Sequence, residues 1–115
     1  MPSDHTERAL RDILHPIDLA QRFVEGLDRE AFKADVRAFY AVTRCLEIIS
    51  EASRRLPNEL KAKHSGISWN QMASAGNVYR HDYEDVVAQL VWDTVHQALP
   101  QLKFVIAAEI RRWDG

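Results

Sequence analysis

The stretch VRAFYAVTRCLEIISEASRRLP, residues 36–57, decides the fold class. Its apolar side chains recur every three or four residues, which is the spacing of one face of an α-helix. They are Val36, Phe39, Val42, Leu46, Ile49 and Leu56. A second face is charged, and its members are Arg44, Glu47, Glu51 and Arg55. The pattern predicts an amphipathic helix with an ion-paired outer face, closed by Pro57.

The residues before this stretch continue the helical pattern. A helix capped by Ser3 or Asp4 is predicted to run as far as Gly26. Pro16 lies inside it and removes one backbone hydrogen bond, so we expect this helix to be kinked or split. Asp28 is a good cap for a short helix that leads into residues 36–57.

The residues after it are also helical in pattern. We predict a short helix over residues 59–64 with Asn58 as its cap, and another helix with Ser68 as its cap. A last helix begins near residue 82 or 85, continues to residue 113 and is interrupted by Pro100. The chain is therefore predicted to be a single all-α domain over residues 1–115, an up-and-down bundle of five or six helices.

Composition limits the classes of function. The net charge is −2, so there is no global positive field, and RNA binding would need a local basic patch or a cleft between two chains. Cys45 is the single cysteine, and its apolar neighbours predict a buried thiol. The N-terminus has no signal-peptide pattern, and no apolar run approaches the roughly 18 residues that cross a bilayer. We expect a cytoplasmic protein without membrane contact.

The most unusual segment is GNVYRHDY, residues 76–83. On a helix, Asn77 and His81 share a face, and so do Gly76 and Arg80, because each pair is four residues apart. His81 and Tyr83 are two residues apart and would diverge by about 200° on a helix. If both serve one site, the helix must end near His81.

Several features together resemble one family. The stretch RCLEIISEASRRL, residues 44–56, is similar to the signature RnLEiIGEAarrL of the HepT-like family in the HEPN superfamily. Later features follow in the family's order: Ile67, Trp69, Asn77, His81, Tyr83, the run VWDTV at 91–95, Leu99, Pro100 and Leu102. The resemblance covers nearly the whole chain and implies a HEPN-like helical bundle.

The resemblance also implies an activity. Family members are understood as metal-independent, cofactor-free RNA endonucleases that act as homodimers and serve as toxins of type VII toxin–antitoxin pairs. Their motif is arginine, four residues, histidine, any residue and tyrosine, and it lies between two subunits. Carried over, His81 handles the proton of the ribose 2′-hydroxyl and Asn77 positions the substrate. Tyr83 becomes the phenol that an MNT-type nucleotidyltransferase antitoxin adenylylates.

Gly76 stands where the family has its arginine. Arg80 lies one helical turn later on the same face, and long helical side chains lean toward the N-terminus. Arg80 is therefore predicted to replace the missing guanidinium at the phosphate. The competing interpretation makes Arg80 a solvated surface cation. By resemblance, Arg44, Glu47 and Glu51 are expected to border the cleft and orient His81.

Two further interpretations stay open. Gly76 favours a catalytically inactive helical adaptor, or a substrate-binding subunit, that binds a nucleotidyltransferase partner, whereas Asn77, His81 and Tyr83 favour the nuclease.

The histidines show no metal-ligand spacing, so no metal is predicted. A basic patch is either a phosphate contact or ordinary solubilising charge. Its members are Arg54, Arg55, Lys61, Lys63 and His64.

Overall fold

A computed structural model describes the backbone of residues 4–78 and 85–114, and the side chains of residues 4–73 and 86–112. The helices are α1 (Asp4–Phe23), α2 (Arg29–Ala34), α3 (Val36–Ser53), α4 (Asn58–Lys63), α5 (Trp69–Val78), α6 (Asp85–Asp93), a π-helical segment (Thr94–Ala98) and α7 (Leu99–Asp114). The last three follow one another without a break, so the described residues form six helical rods and no strand. The predicted all-α bundle is confirmed.

Helix α3 lies at the centre of the bundle. It packs along α1 and α5 and also touches α2 and α6, while α7 packs against α1. The apolar stripe predicted for residues 36–57 faces this core, except for Val36, which is half exposed. The side chains with almost no exposed surface are Leu10, Ile13, Ile17, Phe32, Phe39, Val42, Leu46, Ile49, Val91, Leu99, Leu102 and Ile106. Their burial supplies the main stabilising free energy of the fold.

The caps explain where the short helices begin. Asp28 Oδ1 accepts a hydrogen bond from the Ala31 N–H at 2.8 Å, so the predicted cap of α2 is confirmed. Asp35 caps α3 in the same way, through the Ala38 N–H at 3.0 Å. The cap predicted for α4 is wrong by one residue, because Pro57 occupies the cap position and Asn58 is already helical. Gly26 adopts φ +78° just after α1, which glycine does without strain.

The two prolines inside helices have different outcomes. At Pro16 the sequence predicts a kink or a split. Helix α1 runs unbroken through the buried Pro16, so the split is wrong and the kink stays a prediction. Ile13 and Ile17 are fully buried on either side of it, and their common packing offsets the lost hydrogen bond. At Pro100 the chain also stays helical, but the turn before it widens, and the Leu99 N–H bonds to the Thr94 carbonyl five residues back.

No helix in the described ranges has the length and apolar character needed to span a bilayer.

Candidate functional site

The motif segment begins on α5. Gly76 and Asn77 lie in the last turn of this helix, where the structure describes the backbone alone. Arg80, His81 and Tyr83 lie outside the described residues. The predicted convergence of Asn77, Arg80, His81 and Tyr83 on one site therefore stays a prediction.

A buried hydroxyl connects α5 to the core helix. Ser50 Oγ on α3 donates a hydrogen bond to the Ala73 carbonyl oxygen at 2.6 Å, and Ser50 is only 1% exposed. Ala73 precedes Asn77 by four residues, so in an α-helix its carbonyl also accepts the Asn77 N–H. Ser50 thus holds the helical turn that carries Asn77 against α3.

The beginning of α5 is anchored separately. The indole Nε1–H of Trp69 points at two carbonyl oxygens at the end of α4, those of Lys61 at 3.1 Å and His64 at 3.0 Å. Met72 is buried, and its N–H bonds to the Ser68 carbonyl at 3.0 Å. The first half of α5, from Trp69 to Ala73, is therefore attached to the bundle before the motif segment begins.

Two of the residues expected to orient His81, Arg44 and Glu47, lie on α3 and form an open surface pair. Arg44 Nη1 is 3.8 Å from Glu47 Oε2, and the Arg44 side chain is 69% exposed. An exposed pair of this kind contributes about 0–1 kcal/mol. Their predicted role beside His81 is untested by these contacts.

Glu51, the third of these residues, belongs to a network directed at α1. Its Oε1 is 3.3 Å from Arg55 Nε, and Arg55 Nη2 is 3.0 Å from Asp12 Oδ2. The hydrogen bond to Asp12 raises the pKa of Arg55 above its ordinary value, with Glu51 adding to the effect. Arg55, just after the end of α3, forms this ion pair with α1, so within the predicted basic patch its positive charge is already balanced by carboxylates.

Cys45 is buried, as predicted. Burial raises the pKa of its thiol, and the nearby positive charge of Arg44 opposes that rise. Within residues 4–73 and 86–112, no three histidine, cysteine or acidic side chains lie close enough together to hold a metal ion.

Sequence reasoning missed two buried polar contacts, Ser50 with Ala73 and His64 with Glu109. His64 Nε2 lies 2.7 Å from Glu109 Oε2, and the Glu109 side chain is 8% exposed. The sequence nevertheless contained an indication of both contacts. Ser50 follows Leu46 by four residues, and Glu109 follows Ile106 by three, so each polar side chain falls on an apolar stripe and needs a partner there.

The described helices define an all-α bundle of the HEPN-like type. A family model described as "Ribonuclease HepT-like" matches residues 13–108. The chain belongs to the HepT-like ribonuclease family.

Named relatives agree with this assignment. A Thermococcus cleftensis protein named "Probable ribonuclease HepT" is 38% identical over 94 residues, which cover 82% of this chain and 86% of the relative. Two Methanocaldococcus jannaschii proteins, named "Putative RNase MJ0125" and "Putative RNase MJ1216", are 32% and 31% identical. These alignments cover 90% and 100% of this chain, and 89% and 95% of the relatives. No solved structure matches the chain.

Proposed function

We propose that this chain is the toxin of a type VII toxin–antitoxin pair, a metal-independent RNA endonuclease that acts in the cytoplasm as a homodimer. Membership of the HepT-like ribonuclease family is the observation that carries this proposal. The anchoring of α5 supports it, because a helix that presents Asn77 to a phosphodiester must be held rigidly.

His81 acts as the general base and acid. It takes the proton of the ribose 2′-hydroxyl while the 2′-oxygen attacks the adjacent phosphorus, and the bond from phosphorus to the 5′-oxygen breaks. The proton then passes to the leaving 5′-oxygen, which leaves a 2′,3′-cyclic phosphate and a 5′-hydroxyl end. Asn77 positions the strand by hydrogen bonds, and no metal enters any step.

Arg80 stabilises the charge that builds on the phosphate. Gly76 leaves the preceding turn without a side chain, so a guanidinium one turn later can lie over that position and present its donors to the phosphate oxygens. Arg44, Glu47 and Glu51 border the cleft and orient His81.

Growth after induction of the chain alone tests the activity. We expect arrest with the natural sequence and normal growth with His81→Ala. Purified chain should cleave RNA in the presence of a chelator, and His81→Ala should not. Equal growth of both strains, together with intact RNA, contradicts the nuclease.

The relocated arginine has its own test. Arg80→Ala should lower the cleavage rate by about 100-fold, because it removes a donor to the developing charge. Arg37→Ala is the matched control, since Arg37 is exposed in the first turn of α3. If Arg80→Ala cleaves as fast as the control, Arg80 is a surface cation.

Neutralisation involves an MNT-type nucleotidyltransferase antitoxin that adenylylates Tyr83. Incubation with that enzyme and ATP should add one adenylyl group to the chain, and Tyr83→Phe should abolish both the mass increase and the loss of RNA cleavage. A mass increase that persists in Tyr83→Phe places the modification elsewhere.

Gly76 favours a second candidate, a catalytically inactive adaptor or substrate-binding subunit that binds the nucleotidyltransferase. Purified chain would then form a stable complex with that partner but leave RNA intact. Restoring the family arginine with Gly76→Arg should in that case produce cleavage that the natural sequence lacks.

A further inference from the structure

A groove lies between the α4–α5 connection and α7, outside the residues proposed for catalysis. Its volume is about 560 Å³, and it is widely open to solvent. Its lining is His64, Gly66, Ile67, Pro100, Gln101, Phe104 and Val105. Phe104 is 74% exposed, so it presents an aromatic face to a ligand in the groove.

One polar group in the groove is held firmly. His64 Nε2 is 2.7 Å from the buried Glu109 carboxylate, which fixes the orientation of the imidazole. The other ring nitrogen, Nδ1, has no hydrogen-bond partner within the described ranges. It is therefore available to the edge of a bound molecule.

The charge around the groove favours an anion beside it. Lys63 Nζ lies 3.7 Å and Arg112 Nη1 3.3 Å from the same Glu109 oxygen, so two cations surround one carboxylate. Lys63 keeps about half of its side chain exposed. None of the lining residues is acidic. Next to His64, two cations and one carboxylate thus leave a local excess of positive charge, although the whole chain is negative.

We propose that this groove binds one unpaired nucleobase of an RNA strand, with its ring stacked on Phe104. The side chains of His64 and Gln101 form hydrogen bonds with the edge of the base, and Lys63 contacts the adjoining phosphate. An exposed aromatic ring beside cations is the arrangement that captures single-stranded nucleic acid. An apolar protein partner would need neither the oriented His64 imidazole nor the cations Lys63 and Arg112 beside it, so these groups favour RNA over a protein contact. RNA as the ligand rests on the proposed function.

The test measures binding separately from cleavage. Fluorescence anisotropy with a labelled single-stranded RNA is read on the His81→Ala chain, so that the strand stays intact. Phe104→Ala in this background should weaken binding by about tenfold, because it removes one stacking contact. Phe23→Ala is the matched control, since Phe23 is also partly exposed and does not line the groove.

Salt dependence tests the phosphate contact. Lys63→Gln should reduce the slope of log affinity against log salt concentration by about 0.7, the value for one phosphate contact on a single strand. An unchanged slope shows that Lys63 does not contact a phosphate of the bound RNA. Circular dichroism spectra of each variant should match that of the parent chain, which shows that the helices still form; Lys63→Gln should melt slightly earlier because it removes one partner of Glu109.

The outcomes distinguish this inference from the proposed function. If Phe104→Ala binds RNA as tightly as Phe23→Ala, or if the chain binds no RNA, the base site is wrong even where the natural sequence arrests growth. If Phe104→Ala instead changes the sedimentation of the RNA-free chain, the groove is a protein contact and the inference fails. If binding depends on Phe104 but the natural sequence never cleaves RNA, the inference stands and the nuclease does not.

Discussion

Ser50 attaches the helix of the proposed site to the core helix α3. Its hydroxyl reaches the Ala73 carbonyl from the centre of α3, across 23 residues of sequence. The family signature has glycine at this position, and glycine has no hydroxyl to make the bond. At the residue scale, this chain therefore departs from the family pattern both at Ser50 in the signature and at Gly76 in the motif.

Ser50→Ala should lower the free energy of unfolding by about 1 kcal/mol, because a buried hydrogen bond is lost. The amides of α5 should also exchange with solvent faster, since the helix loses its contact with α3. Urea unfolding and hydrogen exchange measure the two effects.

Ser53→Ala is the control for this change. Ser53 is equally buried, but its hydroxyl bonds within α3, to the Ser50 carbonyl at 2.8 Å. It should reduce stability without a selective effect on α5. Equal exchange rates in α5 for both variants contradict the role assigned to Ser50.

Cys45 should react with a thiol reagent only when the chain unfolds. Its side chain is buried in α3, and burial raises the thiol pKa, although the charge of Arg44 opposes this. Few thiolates are therefore present and the reagent has little access. A colorimetric thiol assay in buffer and in denaturant makes the comparison. Full reaction within the dead time in buffer contradicts the burial.

At the element scale, Glu109 connects the end of α4 to α7. Burial raises the pKa of this carboxyl, but the hydrogen bond with His64 and the charges of Lys63 and Arg112 outweigh it, so the pKa is lowered overall. A carboxyl whose pKa is lower in the folded chain stabilises the fold above its unfolded pKa of about 4.3. That contribution is lost as the pH falls through the folded pKa.

Glu109→Gln should lower the free energy of unfolding at pH 7 by about 1–2 kcal/mol, because three cationic or hydrogen-bonding partners lose the carboxylate. The difference from the natural sequence should shrink on acidification, as the natural carboxyl becomes protonated. Urea unfolding at pH 7 and below pH 4 measures this. Glu30→Gln, an exposed change on α2, should have little effect at either pH. A difference that grows in acid contradicts the pKa direction.

The helices show where sequence reasoning succeeds and where it stops. The stripe in residues 36–57 predicts the start and the buried face of α3 correctly, because helical periodicity depends on neighbours three and four residues apart. Its predicted end at Pro57 is wrong, because α3 already ends at Ser53. Pro16 is different. Its local effect favours a break, but the burial of Ile13 and Ile17 in one common core keeps α1 continuous. A proline's local cost is visible in sequence, whereas the packing that offsets it is not.

At the scale of the whole molecule, the proposed nuclease requires two copies. A chain of net charge −2 supplies few cations to one cleft, while two copies of Arg80 and His81 facing each other supply twice as many. Sedimentation at micromolar concentration should therefore show a dimer for the natural sequence and for His81→Ala alike. A monomer under these conditions contradicts the shared cleft.

By itself, the sequence determined the helical class, the main apolar stripe, the cap at Asp28, the buried Cys45 and the family, because these depend on local spacing and on residue order. Only the tertiary structure decided which distant groups meet: Ser50 with Ala73, Arg55 with Asp12, and His64 with Glu109. The physical reason is that helix formation is governed by short-range spacing, whereas a buried polar contact between helices depends on how their faces pack.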